Sequence, residues 1–188
     1  EMCIRDRGYI GSGNVGRNTT IIRSNYLLEG NNPFYELSLQ LWEGLEQDFN
    51  YNAMVSQRGI INLFHSDGQR DDYARRGNGM RMHGVDAELL DREQVRRMMP
   101  YLNFDHARFP ILGGLYQPRG GTVRHDTVAW GYARGADSRG VDIIQHCEVT
   151  GIRRENGRVL GVETSKGFIG CNRLALAAAG NTTTVGRM

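Results

Sequence analysis

The trio Arg124-His125-Asp126, set after the turn Arg119-Gly120-Gly121-Thr122, is the arrangement in this chain best suited to chemistry. An imidazole between a fixed cation and a carboxylate is held in one orientation and tautomer, and can act as a base or a nucleophile. The same residues also read as a helix start with Asp126 as the cap. The loop Gly11-Ser12-Gly13-Asn14-Val15-Gly16-Arg17-Asn18-Thr19-Thr20 is the second candidate. Its small residues leave backbone N–H groups exposed, which suits a pyrophosphate or a flavin edge. It equally suits a plain surface turn. The dinucleotide fingerprint, a G-x-G-x-x-G between a strand and a helix, is not read here, so the firmest phosphate grip is expected upstream of Glu1. His65, His83, His106 and His146 have no partner at ligand spacing, and no metal site is expected.

These groups need elements to hold them. Asn32-Pro33 reads as a helix start, and Phe34, Leu37, Leu41 and Leu45, with Trp42, fall on one helical face that ends near Asp48. Short strands are expected over Ala53–Ser56 and Ile60–Phe64. A polar helix then covers Ser66–Met82, and a box-like helix starts at Asp91 with Gln94 and stops at Pro100. The stretch Leu112–Val123 is strand-like, and Asp126–Arg139 reads as a helix with Val128, Ala129, Tyr132 and Ala136 on one side. Val141–Ile144 and Cys147–Val149 are strand material. A meander follows over residues 151–171, with turns at Asn156-Gly157 and Lys166-Gly167. Leu174–Ala178 is expected to be a buried strand. The class is mixed α/β with a strong antiparallel component.

Composition sets outer bounds. The 188 residues, 39% hydrophobic and 23% charged, suit one ordinary domain or parts of two interleaved ones. No apolar run approaches the roughly 20 residues that cross a bilayer, and the start lacks the apolar core of a secretory signal. Net charge is +2 with scattered basic residues, so neither a nucleic-acid nor a membrane surface is expected. Lys166 is the only lysine among 23 basic residues; that bias fits anion recognition and genome composition equally. Cys3, Cys147 and Cys171 show no paired spacing, as in a reduced, cytoplasmic chain. Neither end reads as a natural domain edge, and an internal fragment is expected.

Gly11–Tyr26, Ser56-Gln57-Arg58-Gly59, Arg124–Trp130 and Gly140–Gln145 together resemble the beta-subunit family of heterotetrameric sarcosine oxidases, within the D-amino-acid-oxidase-like flavoproteins. The resemblance runs from about Gly8 to Asn181. It implies a partial FAD-binding Rossmann-like domain interleaved with an antiparallel-sheet substrate domain. Residues 8–50 and 122–188 would be mainly FAD-domain parts and 51–121 mainly the substrate or interface part. The first βαβ unit and the C-terminal half of the family would be missing. Residues 1–7 depart from the family's pattern, with Met2–Arg5 a poor strand, and read as foreign sequence. Asp6, at about the family's ribose-binding acidic position, is left out of the site.

The resemblance also implies roles. Asn14, Thr19, Ile21 and Val149 match positions that meet noncovalent FAD, and His125, beside Arg124, matches the histidine that carries covalent FMN. Arg124 would favour the flavin phosphate and bias His125 towards its neutral form. The implied reaction is oxidative demethylation of sarcosine to glycine. Electrons would pass from FAD to FMN to oxygen to form hydrogen peroxide, and the one-carbon unit would go to tetrahydrofolate or leave as formaldehyde. Alpha, gamma and delta subunits are the implied partners, with NAD and tetrahydrofolate on alpha. Two other readings stand beside this one: another amine or amino-acid oxidase of the superfamily using FAD alone, and an inactive piece that aggregates and binds FAD poorly.

Overall fold

The computed structural model describes residues 2–26, 28 and 30–188. In chain order its elements are β1 (Met2–Arg5), β2 (Ile21–Ile22), α1 (Asn31–Phe49), β3 (Ile60–Phe64), α2 (Asp67–Met82), β4 (Glu88–Asp91), α3 (Arg92–Met98), β5 (Gly113–Gln117), β6 (Gly121–Thr122), α4 (His125–Asp137), β7 (Val141–Ile144), β8 (Val149–Glu155), β9 (Arg158–Thr164), β10 (Gly167–Gly170) and α5 (Thr182–Gly186). Short 3-10 turns lie at Asn14–Arg17 and Ala179–Asn181. The chain forms two compact units, one of residues up to Thr19 with His125–Met188, the other Thr20–Arg124. The divisions fall after Thr19 and after Arg124.

In the Thr20–Arg124 unit, β5 is the central strand of an antiparallel sheet ordered β3-β5-β4. Gly113 and Gly114 open β5 because side chains there would collide with Phe64 and Ile61 on β3. Two apolar clusters flank the sheet. Met80 of α2 meets Val85, Ala87 and Leu115; Val95 of α3 meets Leu90, Phe104 and Ile111. Both helices form where the sequence pattern expects them. Ser66 caps α2 by accepting from the Gln69 amide, and Asp91 with Gln94 forms the reciprocal box at α3.

Helix α1 departs from its sequence pattern. It starts at Asn31 behind Gly30, with no side-chain cap, and it buries Asn32, Leu39 and Leu45. Phe34, Leu37 and Leu41 are 69%, 56% and 59% exposed. Tertiary pairing outweighs the apolar stripe: the other face carries Glu36 and Glu43, both bonded to Arg119. Ala53–Ser56 is likewise no strand; Ser56 forms an isolated antiparallel bridge with Thr122.

In the other unit, β1 pairs in parallel with β7 over four residues, and backbone bonds from Asp6 to Ile144 and from Cys147 to Asp6 prolong the pairing. Met2–Arg5 is thus a strand despite weak local propensity, because the β7 backbone supplies its partners. Residues 149–170 form the antiparallel meander β8-β9-β10. Its first turn has Asn156 and Gly157 at φ 48° and 76°, the left-handed pair a tight hairpin needs. Leu174–Ala178 is neither a strand nor buried. No strand edge among the described residues receives it, and an apolar run without a ladder has no reason to extend.

Candidate functional site

His125 is the first residue of α4 and is half-buried. Its Nδ1 is buried with no hydrogen-bond partner among the described residues. The carboxylate of Asp126 turns to its own helix start, accepting from the Thr127 amide at 3.0 Å. Asp126 therefore does not clamp Nδ1, although it sits where an acidic residue complements the helix dipole. A buried imidazole nitrogen without a partner is costly, and one with a free lone pair is a usable nucleophile.

The Asn14–Arg17 turn packs on α4 within the same unit, so the two sequence candidates are neighbours. Asn14 and Thr19 are both exposed. Gly11, Gly13 and Gly16 have fingerprint spacing but lead through one 3-10 turn into β2, not into an α-helix. Gly11 takes φ 87°, and a side chain at Gly16 would come 3.2 Å from the Gly11 carbonyl. The loop is folded tightly on itself with polar side chains outward, which suits a flat nucleotide laid against it. Val149 begins β8, opposite Thr164, and is half-buried. No group of metal-binding side chains occurs among the described residues.

In the Thr20–Arg124 unit, Ile21 is exposed at the start of β2 while Ile22 is buried, and Arg124 is exposed. Thr20 sits at φ 60°, a left-handed setting unusual for a β-branched residue. Beyond β2 lies a cluster the sequence pattern missed. The Tyr26 and Tyr35 rings stack at 3.7 Å, and the Arg23 guanidinium lies 5.0 Å from the Tyr26 ring centre. Arg23 donates to Asn25 Oδ1 at 2.7 Å, and Arg76 donates to the Asn25 carbonyl. Neither arginine forms an ion pair with a carboxylate among the described residues. Burial, reinforced by Arg23, lowers the Arg76 pKa, and burial also raises that of Tyr26. Two cations held together, with no carboxylate bonded to either among the described residues, suit an anion. Arg23 and Arg76 are 53 positions apart, so no local spacing could have joined them.

A buried network fixes this segment. Gln117, fully buried on β5, accepts from the Ser24 amide at 3.1 Å and donates to Ser24 Oγ at 2.7 Å and to Asp86 at 3.2 Å. Asp86 also accepts from the Arg119 amide at 2.6 Å.

The chain belongs to the DAO family of FAD dependent oxidoreductases, whose model matches residues 1–188. It is 79% identical to the sarcosine oxidase subunit beta of Rhizobium meliloti (strain 1021) and 45% identical to that of Rhodobacter capsulatus. Both alignments cover the whole chain and 45% of the relative, so the chain spans less than half the length of these proteins. Among solved structures, L-proline dehydrogenase from P. horikoshii superposes with a TM-score of 0.90 at 22% identity, over 99% of this chain and 48% of that one. Glycine oxidase from Bacillus cereus does so with a TM-score of 0.80 at 24% identity, over 97% and 51%. The mixed α/β fold is that of the family. No described helix is long and apolar enough to cross a membrane.

Proposed function

We propose that this chain is part of a sarcosine oxidase beta subunit, a cytoplasmic flavoprotein that works with alpha, gamma and delta subunits, alpha carrying the NAD and tetrahydrofolate sites. The carrying observation is 79% identity across all 188 residues to a protein of that name. Residues 8–50 and 122–188 serve the FAD domain and 51–121 the substrate or interface domain; the β1–β7 pairing supports counting Met2–Arg5 with the former. The flavins, when bound, supply passage of electrons from sarcosine through FAD and FMN to oxygen, yielding glycine, a one-carbon unit and hydrogen peroxide.

The chain's own residues take distinct roles. Asn14, Thr19 and Ile21 line FAD with exposed side chains, and Val149 meets it from the start of β8. His125 is the covalent attachment point for FMN, and the lack of a hydrogen-bond partner for its Nδ1 among the described residues supports that role. Arg124, exposed beside it, favours the FMN phosphate. Arg23 and Arg76 suit the carboxylate of an amino-acid substrate, held at the face of Tyr26.

The test is a His125→Ala substitution in the full-length protein produced with its partner subunits. The unmodified polypeptide retains flavin fluorescence after denaturation and the variant loses it. A variant that keeps the fluorescence removes His125 from this role. A second reading, an amine or amino-acid oxidase using FAD alone, is favoured by the likeness to glycine oxidase; a full-length protein that binds one flavin and no subunits would establish it. The unpaired run Leu174–Ala178 supports the view that these 188 residues alone do not turn over substrate.

A further inference from the structure

Asn25, just beyond β2, is fully buried, and its two oxygens take arginines from different elements. Oδ1 accepts from Arg23 at 2.7 Å. The main-chain carbonyl accepts from Arg76 of α2, and the same Arg76 nitrogen lies 3.5 Å from Oδ1. Arginine only donates, so the side-chain oxygen has to face the two guanidinium groups and the amide nitrogen has to face away. Asn62 on β3 meets that nitrogen, accepting from Nδ2 at 2.7 Å, and so sets which way the Asn25 amide points. The preceding backbone is pinned as well, because Gln117 holds both the amide and the hydroxyl of the buried Ser24. All of these residues belong to the Thr20–Arg124 unit.

Charges brought together away from water are usually matched by an opposite charge. Here a neutral residue stands at the meeting point instead. Asn25 gives each guanidinium an acceptor and cancels neither charge. The strain of that proximity shows in Arg76, whose pKa is lowered by burial and then by Arg23. An aspartate, nearly the same shape, would pair with both arginines from within and take the place of an incoming anion. We propose that Asn25, oriented by Asn62, is the positioning residue that holds Arg23 and Arg76 side by side with their charge available to a substrate carboxylate. The proposal rests on the reading of the two arginines given above, and adds that the neutrality of position 25 keeps the site open.

The experiment uses the full-length protein co-produced with its partner subunits, with acetate as the carboxylate probe. Acetate is expected to compete with sarcosine and to raise the Tm. Asn25→Asp is expected to keep FAD absorbance, to lose the acetate-dependent rise in Tm, and to weaken both acetate inhibition and KM for sarcosine by about tenfold or more, since a like charge then faces the carboxylate. A role confined to packing predicts otherwise, because the aspartate still accepts from both arginines. Acetate affinity and KM at their original values overturn the proposal. Should Asn25→Asp fail to fold, Asn62→Ala decides. It removes the acceptor that orients the amide and is expected to weaken acetate roughly threefold; unchanged affinity there overturns the proposal too. Weaker acetate with KM for sarcosine unmoved would assign the pair to a free-anion site, which also overturns it. Arg23→Gln separates the two levels. If that variant leaves acetate inhibition intact, the substrate-carboxylate reading fails and this inference with it. If it weakens acetate while Asn25→Asp does not, the inference alone fails.

Discussion

The guanidinium of Arg119 meets the carboxylate of Glu43 at two points, Nε to Oε1 and a terminal nitrogen to Oε2, each at 2.9 Å. A further nitrogen of Arg119 donates to Glu36, and Glu36 in turn accepts from Ser24 Oγ at 2.8 Å. One arginine, placed just after β5, thereby joins α1 to the segment that carries Arg23.

Removing that arginine strands two partly buried carboxylates. The bonds from Arg119 hold the Glu43 carboxyl below the ordinary value of 4.5, and the same bonds raise the Arg119 pKa. Because the folded value of Glu43 lies below its unfolded value, the pairing stabilises fully above pH 4.5 and is lost as pH falls through the depressed folded value. Arg119→Ala is expected to cost about 1–2 kcal/mol at neutral pH, after allowance for solvent screening of a pair about one-third exposed. Urea titration of the full-length protein at neutral and acid pH checks this. The difference between the two proteins should shrink below pH 4.5, and a constant difference would rule the pairing out as the cause.

Gly121 tests the close backbone approach that closes the Ser56–Thr122 bridge. A side chain there would collide with the Ser56 carbonyl and lie 2.8 Å from the Gln57 Cα, both backbone atoms that cannot swing aside. Gly121→Ala should destabilise by about 1–3 kcal/mol or more, read as a lowered Tm. Gly140→Ser, at a position with nothing within 4 Å, isolates the other possible penalty, since its φ of 77° is strained without crowding. It should cost less, about 1 kcal/mol. Equal losses would show that crowding at Gly121 is not the cause.

The paired arginines make a kinetic prediction. Loss of an anion-binding group that acts equally on substrate and transition state raises KM with little change in kcat. On the sarcosine oxidase reading proposed above, Arg76→Gln in the full-length protein should raise KM for sarcosine by about tenfold, the scale of one charge-assisted hydrogen bond. FAD absorbance should be unchanged. A fall in kcat at constant KM would place Arg76 outside substrate binding.

Much of the local structure was legible because it rests on contacts a few residues apart. The Asp91–Gln94 box and the Asn156-Gly157 hairpin are interactions within four positions, and both form as read. The α1 pattern misled for the opposite reason. Apolar spacing shows that a helix has an apolar stripe and says nothing about what lies against it; the facing side was decided by Arg119, 76 positions from Glu43.

The amino-acid order alone determined the mixed α/β class, the positions of the α3 start and the hairpin turn, and the family, since these follow from side-chain identity and short-range spacing. Only the tertiary structure decided that Met2–Arg5 is a strand, that Leu174–Ala178 is not, that Arg23 and Arg76 converge, and that His125 Nδ1 is buried without a partner among the described residues. Each depends on a partner, present or absent, from a distant part of the chain, and local propensity cannot supply the hydrogen-bonding edge or the counter-charge that settles it.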